Sequence, residues 1–193
     1  RDRMSVEVEA EYRSFLDEAI SDGYQQLKAG EDGLDVVVAI IQRMEDSPLF
    51  NAGKGSVYTW DGQHELDASI MHGAKMDAGA VAGVTTVQSP IALARAVMEQ
   101  SPHVMLASRG AEQFAKELGI SEVSPAYFET ERRKRALESY KARKQAGIEP
   151  HVVYKFGTVG VVVLDSKRNL VAGTSTGGMT GKRWGRIGDA PVI

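Results

Sequence analysis

The run Gly157-Thr158-Val159-Gly160 constrains this chain most, because it sets a threonine between two glycines at the mouth of an apolar strand, Val159 to Leu164. A second glycine-rich run, Gly173-Thr174-Ser175-Thr176-Gly177-Gly178, follows the next apolar stretch. Glycine opens backbone conformations closed to other residues and permits close approach, so the pattern suits a tight strand entry and equally a reactive backbone. An internal threonine hydroxyl is a poor nucleophile, since its own residue holds no base for its proton. A cut just before Thr158 changes that. The new α-amine has an ordinary pKa of about 7.7 to 8.0, and its neutral fraction can take the hydroxyl proton near neutral pH.

The flanking sequence is that of a mixed α+β chain. From Ser5 to Ala29, Tyr12, Leu16, Ile20, Tyr24 and Leu27 recur at helical spacing, and Gly30 supplies a stop. Asp32 caps a second helix through about Met44, with Leu34, Val37, Val38, Ile41 and Met44 on its apolar face and Pro48 barring continuation. Ser56 to Trp60 alternates as a strand, and Asp61-Gly62 signals a hairpin into His64 to Met71. Ala78 to Val84 predicts a third strand. Ser89-Pro90 opens a helix, Val104 to Ala107 predicts a short strand, and the helix after it runs to Leu118 before Gly119. Glu129 to Lys144 shifts to Glu, Arg, Lys and Ala, which suits a solvated helix or mobile linker better than a nucleic-acid surface. Strands return at Val159 to Leu164 and Leu170 to Thr174.

At 193 residues the chain can bury one substantial core or at most two small domains. The formal net charge of −3 gives no reason to expect nucleic acid or an acidic membrane as partner. The absence of cysteine excludes disulfide scaffolds, thiolate catalysis and cysteine zinc sites. No apolar run reaches the roughly 20 residues that span a bilayer, and no signal-peptide pattern opens the chain, so a cytoplasmic protein is expected.

Seven blocks in one order resemble the plant-type asparaginase and isoaspartyl aminopeptidase family of N-terminal nucleophile hydrolases. They are Pro48-Leu49-Phe50-Asn51-Ala52-Gly53-Lys54-Gly55, His64-Glu65-Leu66-Asp67-Ala68 with Met71 and Gly73, Ala78 to Gly83, Met98 to Val104, the Thr158 run, Thr174 to Gly178, and Gly185-Arg186-Ile187-Gly188-Asp189. The resemblance covers nearly the whole chain and implies a four-layered αββα fold, two antiparallel sheets face to face with helices outside. The family begins with a buried strand ending in a His-Gly-Gly turn. It continues past the position of Ile193 to a Gly-Thr-Gly segment of its oxyanion hole, so this chain is expected to carry most of the first half.

The resemblance also implies roles. Thr158 would attack the carbonyl of Gly157, dividing the chain into an α-like segment, 1–157, with a basic linker from about 129, and a β-like segment from 158. The two would stay paired, as a dimer of αβ units. The same hydroxyl would then attack L-asparagine or a β-aspartyl dipeptide, with Thr176 orienting it and Asn51 near its amine. Without the resemblance, Thr176 and Asn51 read as turn residues.

Arg186 and Asp189 can hold both ends of an amino acid's backbone or merely pair with each other at the surface. The resemblance implies the first, with Arg186 on the α-carboxylate and Asp189 on the α-amine of an aspartyl group. A structural sodium ion on the backbone carbonyls of Met44, Glu45, Ser47, Phe50, Ala52 and Lys54 is implied, and no catalytic cofactor. The four histidines, His64, His72, His103 and His151, read as structural. Two rival readings stand beside this one. The first is a glycosylasparaginase-type amidase, against which Gly157 argues because that group has aspartate before its threonine. The second is a non-catalytic relative.

Overall fold

The computed structural model describes residues 5–148 and 157–193. Helix α1 (Val6–Lys28) is capped by Ser5, whose Oγ accepts from Val8 N at 3.3 Å, and α2 (Gly33–Glu45) by Asp32, whose carboxylate accepts from Leu34 N at 2.9 Å. Strands β1 (Leu66–His72) and β2 (Asp77–Val84) form an antiparallel pair, and α3 (Pro90–Gln100) starts at Ser89 as the Ser-Pro signal requires. After them come β3 (Met105–Ala107), α4 (Ser108–Glu117), α5 (Glu131–Gln145), β4 (Val159–Leu164) and β5 (Leu170–Thr176).

The strands make one mixed sheet in the order β3-β2-β1-β5-β4, antiparallel throughout except for β2 with β3. The parallel step arises because the chain returns to the sheet through α3, and a helical crossover brings the strand back in the same direction. Helices α2 and α3 cover one face, α2 over β4 and β5 and α3 over β1 and β2. Val37, Ile41, Ile70, Val81, Ile91 and Val97 are buried between these layers. Trimming one of them, as in Ile41→Ala, costs about 2 to 5 kcal/mol in a packed core. On the opposite face Val162, Leu164 and Leu170 lie exposed, Leu164 and Leu170 directly across from each other.

Two expectations change. Ser56 to Trp60 is not a strand: Thr59 alone pairs, in an isolated bridge with Lys182, and β1 starts at Leu66. The alternation there reflects buried coil pinned by side chains. Val57 N donates to Asn51 Oδ1 at 2.9 Å, Ser56 Oγ bonds His64 Nδ1 at 3.0 Å, and the Tyr58 ring packs at a tilt against His64. Asp61-Gly62 does turn the chain, with Gly62 N donating to Thr59 O at 3.1 Å, but joins no strand pair. The face of α1 is also less buried than its spacing suggests. Ala19 and Gly23 face inward, whereas Leu16, Ile20 and Tyr24 are exposed.

Of the two readings of the basic segment, Glu131–Gln145 takes the helical one, with Leu137 alone buried. The rest of the expected linker, including His151, lies mostly outside the described residues. Among the described residues no helix is long and apolar enough to cross a membrane.

Candidate active site

The end of β5 and the entry to β4 are antiparallel neighbours, Val159 opposite Ser175, and this register brings two distant threonines together. Thr158 Oγ1 donates to Thr176 Oγ1 at 3.2 Å, and Gly178 N donates to the same oxygen at 3.0 Å. Thr176 is buried while Thr158 is exposed, so one hydroxyl is fixed and the other faces open space.

Asn51 completes the corner. Its Nδ2 donates to Gly178 O at 2.8 Å, its Oδ1 accepts from Val57 N, and its backbone carbonyl accepts from Gly177 N at 3.0 Å. Gly157 packs directly on this side chain. A Cβ there would stand 2.9 Å from Asn51 Nδ2 and 3.0 Å from Asn51 Cβ, closer than side chains tolerate without a shift. The residue before Thr158 is thus glycine for a local steric reason.

These groups open onto a cavity of about 870 Å³ lined by Asn51, Thr158, Thr174, Gly178, Asp189 and Arg133, among others. Asp189 reaches it directly. Arg186 lies beside Gly178, its Nη1 3.5 Å from where a Cβ on that glycine would sit. Both are exposed, and among the described residues they form no ion pair with each other. A positive φ at Trp184 (60°) and at Gly185 (65°) reverses the chain just before Arg186. Ala190 anchors the segment: its carbonyl accepts from Ser69 Oγ at 2.6 Å and Thr174 Oγ1 at 2.8 Å. Ser69 and Thr174 were not singled out in the sequence. They sit opposite each other in β1 and β5, a pairing that only the register reveals.

Beneath the corner lies a charged cluster. The ammonium of Lys182, whose side chain is 1% exposed, donates to Glu65 O at 2.8 Å and lies 3.6 Å from Glu65 Oε2. Burial lowers its pKa, against the pull of Asp67 and Glu65. Asp67 accepts from Gly83 N at 2.9 Å. Burial pushes the imidazole of His64 down to about 4, with the Lys182 charge adding to the shift, so it stays neutral at pH 7.

Glu45, expected only as a carbonyl donor, has a fully buried carboxyl group that ties three elements. It accepts from Ser175 Oγ (2.6 Å), Ser89 Oγ (2.6 Å) and Ile91 N (3.0 Å), and burial raises its pKa to about 7 despite these donors. The backbone of the 44–54 loop offers oxygen to a cation. The Glu45 carbonyl oxygen would collide with a Cβ on Gly53 and the Phe50 carbonyl oxygen with one on Gly55, so the backbone of the loop packs closely on itself. The Met44 and Ala52 carbonyls accept bonds within the loop, from Ser47 N and Gly55 N, and each retains a lone pair. Neutral oxygens of this kind fit a hard alkali cation and not a transition metal. Among the described residues no three His, Cys, Asp or Glu side chains converge on a metal position.

A mixed sheet under helices, ending in a hydroxyl pair beside a glycine junction and a carboxylate-lined cavity, defines the class: an α+β protein whose candidate site lies at a pair of threonines. The chain belongs to the asparaginase family, whose model, described as Asparaginase, matches residues 1–193. It is 46% identical over 198 residues to the isoaspartyl peptidase of Salmonella typhimurium, across all of this chain and 63% of the relative. It is likewise 46% identical over 175 residues to the isoaspartyl peptidase/L-asparaginase of Rattus norvegicus, across 91% of this chain and 52% of the relative. With the plant-type L-asparaginase of Pyrococcus abyssi it shares 43% over 187 residues, 91% of this chain and 60% of the relative. The chain thus spans just over half to under two thirds of the length of these relatives.

Proposed function

We propose that this chain forms the first part of a self-cleaving threonine hydrolase that acts on L-asparagine and β-aspartyl dipeptides. The observation that carries the reading is the contact of Thr158 Oγ1 with Thr176 Oγ1 beside a glycine junction pressed onto Asn51. The names of the relatives supply the substrate class.

In the first step the Thr158 hydroxyl attacks the Gly157 carbonyl carbon. The Gly157–Thr158 C–N bond breaks, the nitrogen takes the hydroxyl proton, and an ester joins the two segments. Water then cleaves the ester, leaving a carboxylate on Gly157 and restoring the Thr158 hydroxyl beside a free α-amine. In turnover that amine is the base. Oγ1 attacks the β-carbonyl of the substrate, the leaving amine departs with the proton, and water hydrolyses the β-aspartyl ester. Thr176 orients the hydroxyl, and Asn51 stands where the new amine emerges. Arg186 binds the substrate α-carboxylate with two parallel hydrogen bonds, and Asp189 accepts from its α-ammonium.

Residues 1–157 then form the α-like segment and residues from 158 the β-like one, paired with each other and, as αβ units, into a dimer. A sodium ion on the 44–54 carbonyls is part of the reading. So is a second sheet, for which the exposed Val162, Leu164 and Leu170 provide an apolar bed.

The test is intact mass and turnover on the full-length protein. Two chains meeting at Gly157-Thr158, with hydrolysis of L-asparagine and β-aspartyl-leucine, are expected. N-acetyl-asparagine, which lacks the ammonium for Asp189, should be hydrolysed about 10- to 100-fold more slowly, since a hydrogen bond to a charged group is worth roughly 1.5 to 3 kcal/mol. An uncut chain without turnover would overturn the reading, and equal hydrolysis of the acetylated compound would remove Asp189 from it.

A further inference from the structure

Helix α5 has the composition of a solvated helix, and only Leu137 of its residues is buried. Its polar side chains nevertheless reach specific backbone atoms around the candidate site. Arg132 Nη2 donates to the carbonyls of Leu49 (2.6 Å) and Pro48 (3.2 Å), and its Nη1 donates to the Tyr12 hydroxyl at 3.1 Å. Tyr12 itself donates to Leu49 O and sets its ring edge-on to Phe50 at 5.4 Å. The loop at 48–50 is therefore gripped by α1 and α5 together, and Asn51 follows it directly.

The next residue of the same helix, Arg133, donates from Nε to Gly55 O at 2.6 Å, fixing the other end of that loop. Tyr140 lies edge-on to Trp60 at 6.3 Å and against Gly181, where a Cβ would meet its ring at 2.6 Å. The helix so bridges the Asn51 loop and the strip that leads to Arg186. It ends at Gln145, twelve positions before Gly157.

We infer that α5 is a maturation clamp in the uncut chain, and that Arg132 is a positioning residue for cleavage at Gly157-Thr158. The inference rests on the self-cleavage proposed above. Gly157 contacts Asn51, and Asn51 holds Gly178, which donates to Thr176. A shift of the 48–50 loop passes through these contacts to the hydroxyl that must meet the Gly157 carbonyl, and reacting groups lose rate steeply when displaced. Arg132 touches none of the reacting groups, so its influence is confined to the loop.

The test is Arg132→Ala in the full-length protein. Alanine keeps the helix propensity and the position is exposed, so folding is retained. The rate at which two chains appear should fall roughly tenfold, the equivalent of about 1.4 kcal/mol. Once the chain is cut, Gly157 no longer presses on Asn51, so the separated mature variant should lose much less in kcat/KM than in maturation rate and should melt within a few degrees of wild type. Arg132→Lys, which retains one donor to the carbonyls, should recover part of the rate. Maturation at the wild-type rate in a wild type that does cleave would sink the clamp alone. Parallel losses in maturation, kcat/KM and melting temperature would also overturn it, reducing α5 to general support. A wild type that never cleaves would remove the clamp together with the reading beneath it.

Discussion

The nucleophile corner and the strip from Lys182 to Asp189 flank the same glycine, Gly178, yet they are built in opposite ways. In the corner every contact is neutral: two hydroxyls, an amide side chain and backbone groups, each within 2.8 to 3.2 Å of its partner. The strip is charged, with a buried ammonium at Lys182 and an exposed guanidinium and carboxylate at Arg186 and Asp189. The difference follows from the tasks proposed for them. A hydroxyl must be aimed within a fraction of an ångström, and short neutral bonds can do that without an electrostatic cost. Ligand-gripping charges must stay solvated and unpaired until a substrate carries the matching charges, because pairing them with each other would compete with binding.

The largest expected effect separates the two regions outright. Thr158→Ala should leave the chain uncut and lower turnover by at least about a thousandfold, because no hydroxyl remains for either reaction. Thr158→Ser should retain part of both. Maturation of the alanine variant into two chains, read by mass, would break the comparison at its first term.

Arg186→Lys tests the charged side. Lysine keeps the charge but not the planar fork, so kcat/KM for β-aspartyl-leucine should fall about 10- to 100-fold while melting stays within a few degrees. An unchanged kcat/KM would show that the strip is not a substrate grip.

Gly157→Ala sharpens the account of the corner. The added methyl must push Asn51 off its contact with Gly178, so cleavage should slow about tenfold. Once cut, residue 157 ends the other chain, and turnover should be normal. Equal loss in both rates would mean that Gly157 matters for more than the junction.

The last effect is read in stability and not in rate, and concerns buried titrating groups. Glu45 stays protonated in the fold up to about pH 7, whereas the unfolded chain ionises from about 4.5, so it erodes stability as pH rises through that window. His64 stays neutral in the fold down to about pH 4, whereas the unfolded chain takes a proton below about 6.5, so it erodes stability as pH falls. In wild type these slopes oppose. Glu45→Gln removes the first, and urea midpoints should then rise from pH 4 to 6.5 by the equivalent of about 2 kcal/mol. A flat profile would place His64 in a better solvated setting than its burial suggests.

Much of the fold was legible because its signals are local. Asp32 and Ser89 name helix starts, Gly30 and Gly119 helix ends, and the apolar runs after residues 65, 77, 158 and 169 are strands. Thr158, Thr176 and Asn51 were singled out in the sequence through family blocks, and the structure brings them together at one cavity edge with Asp189. What periodicity cannot carry is the partner of each element. Ser56 to Trp60 alternates like a strand because both its sides are buried, and only the neighbours show that side chains of Asn51 and His64 hold it as coil.

By itself, then, the sequence determined most element types and the glycine junction, which depend on residues close along the chain, and the family, which depends on short blocks recurring in order. Tertiary structure decided the parallel β3, the buried roles of Lys182 and the Glu45 carboxyl group, the Ser69–Thr174 anchor and the docking of α5. Each of these joins residues dozens of positions apart. Their free energy comes from packing and desolvation, which exist only once the sheet has closed around them.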